Sequence, residues 1–360
     1  MALRIKGEYD RAISDYSEAL RLENGKSASL FFNRAIAWEA KGDTEKAISD
    51  YDEAIRLEPK AAPAFHNRGA LWNTEKDYDR AISDFDQAIR ITPDWKPYVG
   101  RAEAWEGKGD MDRAKADLDK AIHLNPSDPH AYYLRGIAWD GKGDYGSAIA
   151  DFSETLRLLP GDAGALFRRG HAYRNSGDFK KAIVDLTESY RLDPRGIAAL
   201  DERGLANLGD GEVDRAIADF TEAIRLLPDL PGYFFDRALA RHEKGEDGLA
   251  IDDLTEAIRL DPKYVDAYNN RGLLWHKKGD EDRAVTDLDE AIRLNPKSAP
   301  SYLNRGLAWQ SKGDVQRAAQ DFNKAHQLDP NIKSGSVSFN CWISFKGFGC
   351  GKGKESGPAN

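Results

Sequence analysis

The sequence predicts an all-α protein, a solenoid of ten helix-turn-helix units laid end to end with the first one cut short. Three observations predict it. A small residue recurs as Ala35, Gly69, Ala102, Gly136, Gly170, Gly204, Ala238, Gly272 and Gly306, at a spacing of 34 except between Gly69 and Ala102, which is one residue short. An alanine returns from Ala12 to Ala318 at a spacing of 34 except after Ala12, where it is 35, and after Ala81, where it is 33, and nine units close on a proline, from Pro59 to Pro330. A fixed short period overrides the two or three domains that 360 residues would otherwise suggest, because each unit contacts only its neighbours.

The unit is complete in residues 265–298. Tyr268, Gly272 and Trp275 stand four and three apart, which places them on one face of a first helix. Gly279 suits the left-handed turn that ends this helix, and Asp280 caps the next by accepting an orphan backbone N–H. Ala284, Leu288 and Ala291 then line the inner face of the second helix. Arg293 complements the helix dipole, and Pro296 stops the helix soon after.

Taken in order, the first unit pairs residues 1–6 with a helix over 8–22. Units two to five and six keep the first-helix aromatic as Trp38, Trp72, Trp105, Trp139 and Tyr173. Unit three has Lys76 where the turn glycine belongs, and the join at 92–97 carries two prolines and the missing residue. Units seven and eight put Asn207 and Arg241 at the aromatic position, so weaker packing is expected there, with Leu208 or Leu239 filling in. Trp275 and Trp309 restore the pattern. The repeat region runs to residue 332. Residues 333–360 form a Gly/Ser/aromatic tail that reads as flexible or as an edge strand, since Val337, Phe339, Cys341, Ile343 and Phe345 alternate with mostly polar residues. Its Gly-Lys pairs lack the spacing of a phosphate loop.

These residues resemble the tetratricopeptide repeat, whose 34-residue unit carries a large residue, a small one and an aromatic, then Gly, Ala, aromatic, Ala and Pro. Phrases such as Asn304–Trp309 (NRGLAW) give it the look of bacterial members. The resemblance implies a right-handed superhelix whose hollow, lined by unit positions 2, 5, 9, 12 and 13 of the first helices, holds a peptide or protein partner. Carried onto this chain, that hollow takes Phe32, Ile36, His66, Tyr133, Ile137, Phe167, His171, Arg174, Asn175, Phe235, His242, Asn269 and His276. The middle of the array, with Arg174 and Asn175 beside His171, is the best surface. The subtype that clamps a chaperone's terminal carboxylate needs Lys and Asn at positions this chain fills otherwise.

The most regular charges are an arginine before each small residue and an aspartate on each second helix. Arg271 and Asp287 lie eight residues either side of the turn glycine, so they face each other, and the series reads as a structural ladder. Five of the seven histidines fall on groove positions, yet His242 and His276 stand a full repeat apart with no cysteine beside them, so no metal is expected. No nucleophile with its base is present, and neither enzyme chemistry nor a cofactor is expected. A net charge of -9 without a basic stripe argues against nucleic acid, and no apolar run approaches membrane length. With no signal peptide in the chain as written, the expected compartment is the cytoplasm. The function expected is a non-catalytic scaffold. Alternatives are a recruitment region of a larger enzyme and a metal- or pH-responsive binder using groove histidines. Uncapped repeat ends suggest self-association.

Overall fold

The computed structural model describes residues 8–332; the expected partner of the first helix (1–6) and the tail lie outside the described residues. Among these, all regular structure is helical. The first unit of the fold, ending at Pro160, holds α1 (Tyr9–Leu22) and four pairs: α2 (Ala28–Lys41) with α3 (Thr44–Leu57), α4 (Ala62–Thr74) with α5 (Tyr78–Ile91), α6 (Trp95–Gly107) with α7 (Met111–Leu124), and α8 (Pro129–Gly141) with α9 (Tyr145–Leu158). The second, from Gly161 onward, holds five: α10 (Ala163–Asn175) with α11 (Phe179–Leu192), α12 (Ala198–Gly209) with α13 (Val213–Leu226), α14 (Pro231–Glu243) with α15 (Asp247–Leu260), α16 (Val265–Lys277) with α17 (Glu281–Leu294), and α18 (Ala299–Ser311) with α19 (Val315–Leu328). The chain is an all-α solenoid of helix-turn-helix repeats.

One hairpin explains the rest. Ala284, Leu288 and Ala291 of α17 are fully buried, each such leucine stabilising the fold by about 1.5–3 kcal/mol. The small residue of α16 is dictated by that leucine: a methyl group on Gly272 would come within 2.8 Å of Leu288 Cγ. Gly279 takes φ +79°, which lets the Asp280 amide turn back onto the Trp275 carbonyl at 2.9 Å. The Asp280 carboxylate accepts from the Arg283 amide and starts α17. Where unit three lacks the turn glycine, Lys76 is forced into the same left-handed region at φ +61°.

Within each unit of the fold every first helix packs against its own second helix, and every second helix against the next first helix. First helices also touch each other in consecutive repeats, as with α4 and α6, α12 and α14, and α16 and α18. They therefore form the inner layer. No helix of the described residues is long and apolar enough to cross a membrane.

On the last second helix, α19, the positions that face a following repeat change character. On the second helices, buried or half-buried aliphatics such as Ile251 and Ile258 pack toward the next repeat; on α19 these positions are Ala319 and His326, both exposed. At these two positions α19 is thus small or polar. A polar outer face is what a terminal repeat needs.

Candidate functional site

The arginine and aspartate series meets in every complete repeat. Arg271 donates from Nε to Asp287 Oδ2 and from Nη2 to Oδ1, both at 2.8 Å. The same fork joins Arg34 to Asp50, Arg68 to Asp84, Arg101 to Asp117 and Arg135 to Asp151 in the first unit of the fold. Planar two-bond pairing of this kind needs arginine rather than lysine. The sequence did not disclose the third bond. Arg68 Nη1 reaches back to Asp52 on the preceding second helix, Arg101 to Asp86 and Arg135 to Asp119. In the second unit Arg203, Arg237 and Arg271 reach hydroxyls instead, on Thr187, Thr221 and Thr255. Each of these six arginines thus ties three helices and couples one repeat to the one before it.

This ladder ties the layer of first helices to the layer of second helices. Asn207 and Arg241 join it: Asn207 Nδ2 donates to Asp219 at 2.9 Å and Arg241 Nη1 to Asp253 at 2.8 Å, where the indole of Trp72 serves Asp84 in unit three. Leu208 packs with Leu205 and Phe220, and Leu239 against the Phe235 cluster, as the sequence led us to expect. The substitution still leaves Asn207 Oδ1 and Arg241 Nε buried without partners, and the second helices that follow begin at Glu212 and Glu246, whose side chains make no cap bond.

On the inner layer the predicted residues part company. Phe32 and Tyr133 are half-buried, each with its ring resting on a fully buried aromatic of the second helix, Tyr51 at 5.7 Å and Phe152 at 5.9 Å. Ile36, Ile137, Phe167 and Asn269 are likewise half-buried. His66 leans on Phe85 at 5.7 Å, and burial, with Lys96 nearby, pushes its pKa down. His171 Nε2 accepts from Asn175 Nδ2, 2.8 Å away, and its Nδ1 lies 3.2 Å from Glu202, to which Arg174 Nε donates at 2.6 Å. Burial would raise the Glu202 carboxyl, but hydrogen bonds and charge from His171 and Arg174 hold it below its ordinary value.

Three residues placed in the hollow from the sequence are corrected here. Arg174 is 5 % exposed because Glu202 of the next repeat draws it inward, so it is no open polar anchor. Phe235 is 7 % exposed, sealed by Tyr264 whose ring lies 5.0 Å away. His242 is 9 % exposed and paired with Asp247 across its own hairpin turn. His276 does the same with Glu281 at 2.8 Å. These two histidines lock hairpins, which weakens the reading of groove histidines as a metal- or pH-responsive set; among the described residues no group of three or more His, Cys, Asp or Glu could hold a metal ion.

Models of the tetratricopeptide repeat match residues 2–63, 41–94, 99–163, 163–195, 265–298 and 299–332, and a model of the TPR repeat matches 239–279. The chain is a tetratricopeptide repeat protein. Among solved structures this TPR chain is similar to a tetratricopeptide repeat protein from Parabacteroides merdae, at 22 % identity and a TM-score of 0.56 over 66 % of this chain and 94 % of that one. It is also similar to the APC/C hetero-tetramer Cut9-Hcn1, at 15 % and 0.52 over 89 % and 79 %. A third likeness, to YrrB, a TPR protein with an unusual peptide-binding site, is at 24 % and 0.44 over 51 % and 95 %. No curated protein matches the chain.

Proposed function

We propose that this TPR protein is a non-catalytic interaction scaffold that holds an extended segment of a partner protein on the inner layer of its first helices. The observation that carries the reading is the half-buried ring at unit position five. The rings of Phe32 and Tyr133 rest tilted on the core aromatics beneath them and each keeps part of its surface open to a ligand. Ile36 and Ile137 one turn further on extend the apolar strip, and His66 and His130 supply polar contacts beside it. The same reading covers Phe167, His171 and Asn175 in the second unit of the fold. Aromatic side chains half-sunk in a rigid layer are the usual anchors of binding energy.

The test is selection of binding peptides from a random displayed library on the intact chain. Phe32→Ala and Tyr133→Ala should each weaken the selected peptides about 30-fold, the equivalent of about 2 kcal/mol, with helicity and melting little changed. Thr187→Asp, on the opposite layer, should leave binding unchanged. Peptides that bind both alanine variants normally would place the working surface elsewhere, and loss of the fold would mean that these rings belong to the core.

A further inference from the structure

Helix α1 leaves open a face that the later second helices have covered. It repeats the sequence of α5 over seven consecutive positions, Tyr9–Asp15 matching Tyr78–Asp84, and shares Ala-Ile-Ser-Asp-Tyr with α3, residues 12–16 matching 47–51. The same residues have different surroundings. Asp15 is exposed, whereas its counterparts in the nine later repeats are 4–8 % exposed. Tyr16 and Ala19 are half-buried, where Tyr51 and Ala54 of α3 and Phe85 and Ala88 of α5 are sealed. Another side of α1 is already in use: α2 packs on it, and Ser17 accepts from Arg34 at 3.0 Å.

The fold itself shows what covers such a face. On α3, Arg34 of α2 holds Asp50 with two hydrogen bonds of 2.7 Å, and Ala35 beside it shares the buried cluster of Tyr51. On α5, Arg68 of α4 holds Asp84 at 2.8 and 2.6 Å, and Gly69 beside it approaches Phe85 so closely that a methyl group there would stand 3.1 Å from the ring. Trp72 lies against the Arg80 guanidinium at 4.6 Å. Each covering helix thus carries an arginine, a small residue next to it and a tryptophan four residues after the arginine. These meet an aspartate, an aromatic ring and, on α5, an arginine of the second helix. On α1 the three are Asp15, Tyr16 and Arg11, and among the described residues neither the Asp15 nor the Arg11 side chain has a hydrogen bond, ion pair or ring contact. An open carboxylate in this setting is complementary to the planar fork of an arginine. Residues 1–6 do not carry the motif, since their one arginine, Arg4, is followed by Ile5.

We propose that the open face of α1 is a docking site for a helix of a partner protein that carries Arg, then Gly or Ala, then Trp three residues further on. Its arginine pairs with Asp15, its small residue faces Tyr16 and its indole lies against Arg11, so the docked helix stands to α1 as α4 stands to α5. The site is separate from the inner-layer rings and takes a helix rather than an extended segment, so it does not depend on the reading above.

The chain also supplies the probe. A fluorescein-labelled peptide of residues 28–41, held helical by a hydrocarbon staple across positions 29 and 33 because an isolated helix of this length is marginal in water, is titrated with the intact protein and followed by anisotropy. It should bind, and Arg34→Lys in the peptide or Asp15→Asn in the protein should each weaken binding at least tenfold. The two changes together should cost no more than either alone, since both remove one fork. Asp15 is exposed, so Asp15→Asn should leave helicity unchanged, and Ser49→Asp, at an exposed position of α3, should leave binding unchanged. A stapled peptide that does not bind, or that binds Asp15→Asn as well as the parent, would overturn the proposal. So would binding confined to a variant lacking residues 1–6, which would make those residues the occupant, or dimerisation abolished by Asp15→Asn, which would give the face to a second copy. None of these results touches the peptide-selection test, which is read on Phe32 and Tyr133.

Discussion

Arg271 holds Asp287 with two parallel hydrogen bonds and places its remaining amino group on Thr255 of the preceding repeat, 3.0 Å away. Asp287 is 6 % exposed, so the pair is shielded where the exposed Arg293–Glu290 pair on the same helix is not. Removing one partner strands a buried charge.

Arg271→Ala and Asp287→Ala should therefore each cost about 3 kcal/mol, and the double variant clearly less than the sum. Urea unfolding of the four proteins of the cycle measures this; additive losses would reduce the pair to two unrelated residues. Thr255→Asp, which copies the aspartate found at Asp52, Asp86 and Asp119, should instead raise stability by up to about 1 kcal/mol.

Lys76→Gly should stabilise the chain by about 1 kcal/mol, since Lys76 alone of the turn residues joining first to second helices holds φ +61° with a side chain. A higher melting temperature, with unchanged spectra, is the expected reading. A lower one would mean that the Lys76 side chain contributes more than its backbone strain costs.

Repeats seven and eight should be the first to open. They combine orphan Asn207 Oδ1 and Arg241 Nε with second helices that lack a cap bond at Glu212 and Glu246. Amide exchange should be fastest in α12–α15 among the internal helices of the second unit. Glu246→Asp, which copies the cap at Asp280, should slow it and stabilise by about 0.5–1 kcal/mol. Protection equal to that of α16 and α17 would count against the weak stretch.

Two histidines of the first unit should titrate in opposite directions. The hydrogen bond to Glu103, 3.1 Å away, raises His130, whereas burial lowers His66. The His130 contribution to stability is then fully present below about pH 6.5 and is lost as pH rises through its raised value. His66 folds best neutral, so it costs stability as pH falls below about 6.5. Imidazole shifts followed by NMR would show His130 above and His66 below the ordinary value; a shared midpoint would contradict both assignments.

The sequence by itself determined the repeat, the hairpin and the partners of the ladder. All three follow from local spacing: a turn glycine with a capping aspartate, a small residue facing a large one, and two charges eight residues either side of a turn. Tertiary structure decided which inner-layer residues keep any surface. Phe32 and Phe235 share unit position five and look alike in sequence, yet one is half-open and the other sealed. The difference is Tyr264, which precedes its helix where Ser27, Ala61, Asp94 and Asp128 precede theirs, and whose ring covers Phe235. Arg174 was lost from the hollow in the same way, through Glu202 on the next repeat, whereas His242 was lost to Asp247 across its own hairpin turn. The third bond of ladder arginines such as Arg68, Arg101 and Arg271 also runs to a different repeat. Periodicity gives the direction in which a side chain leaves its helix, but exposure depends on what the neighbouring repeat brings against it, and that pairing is fixed only when the repeats stack.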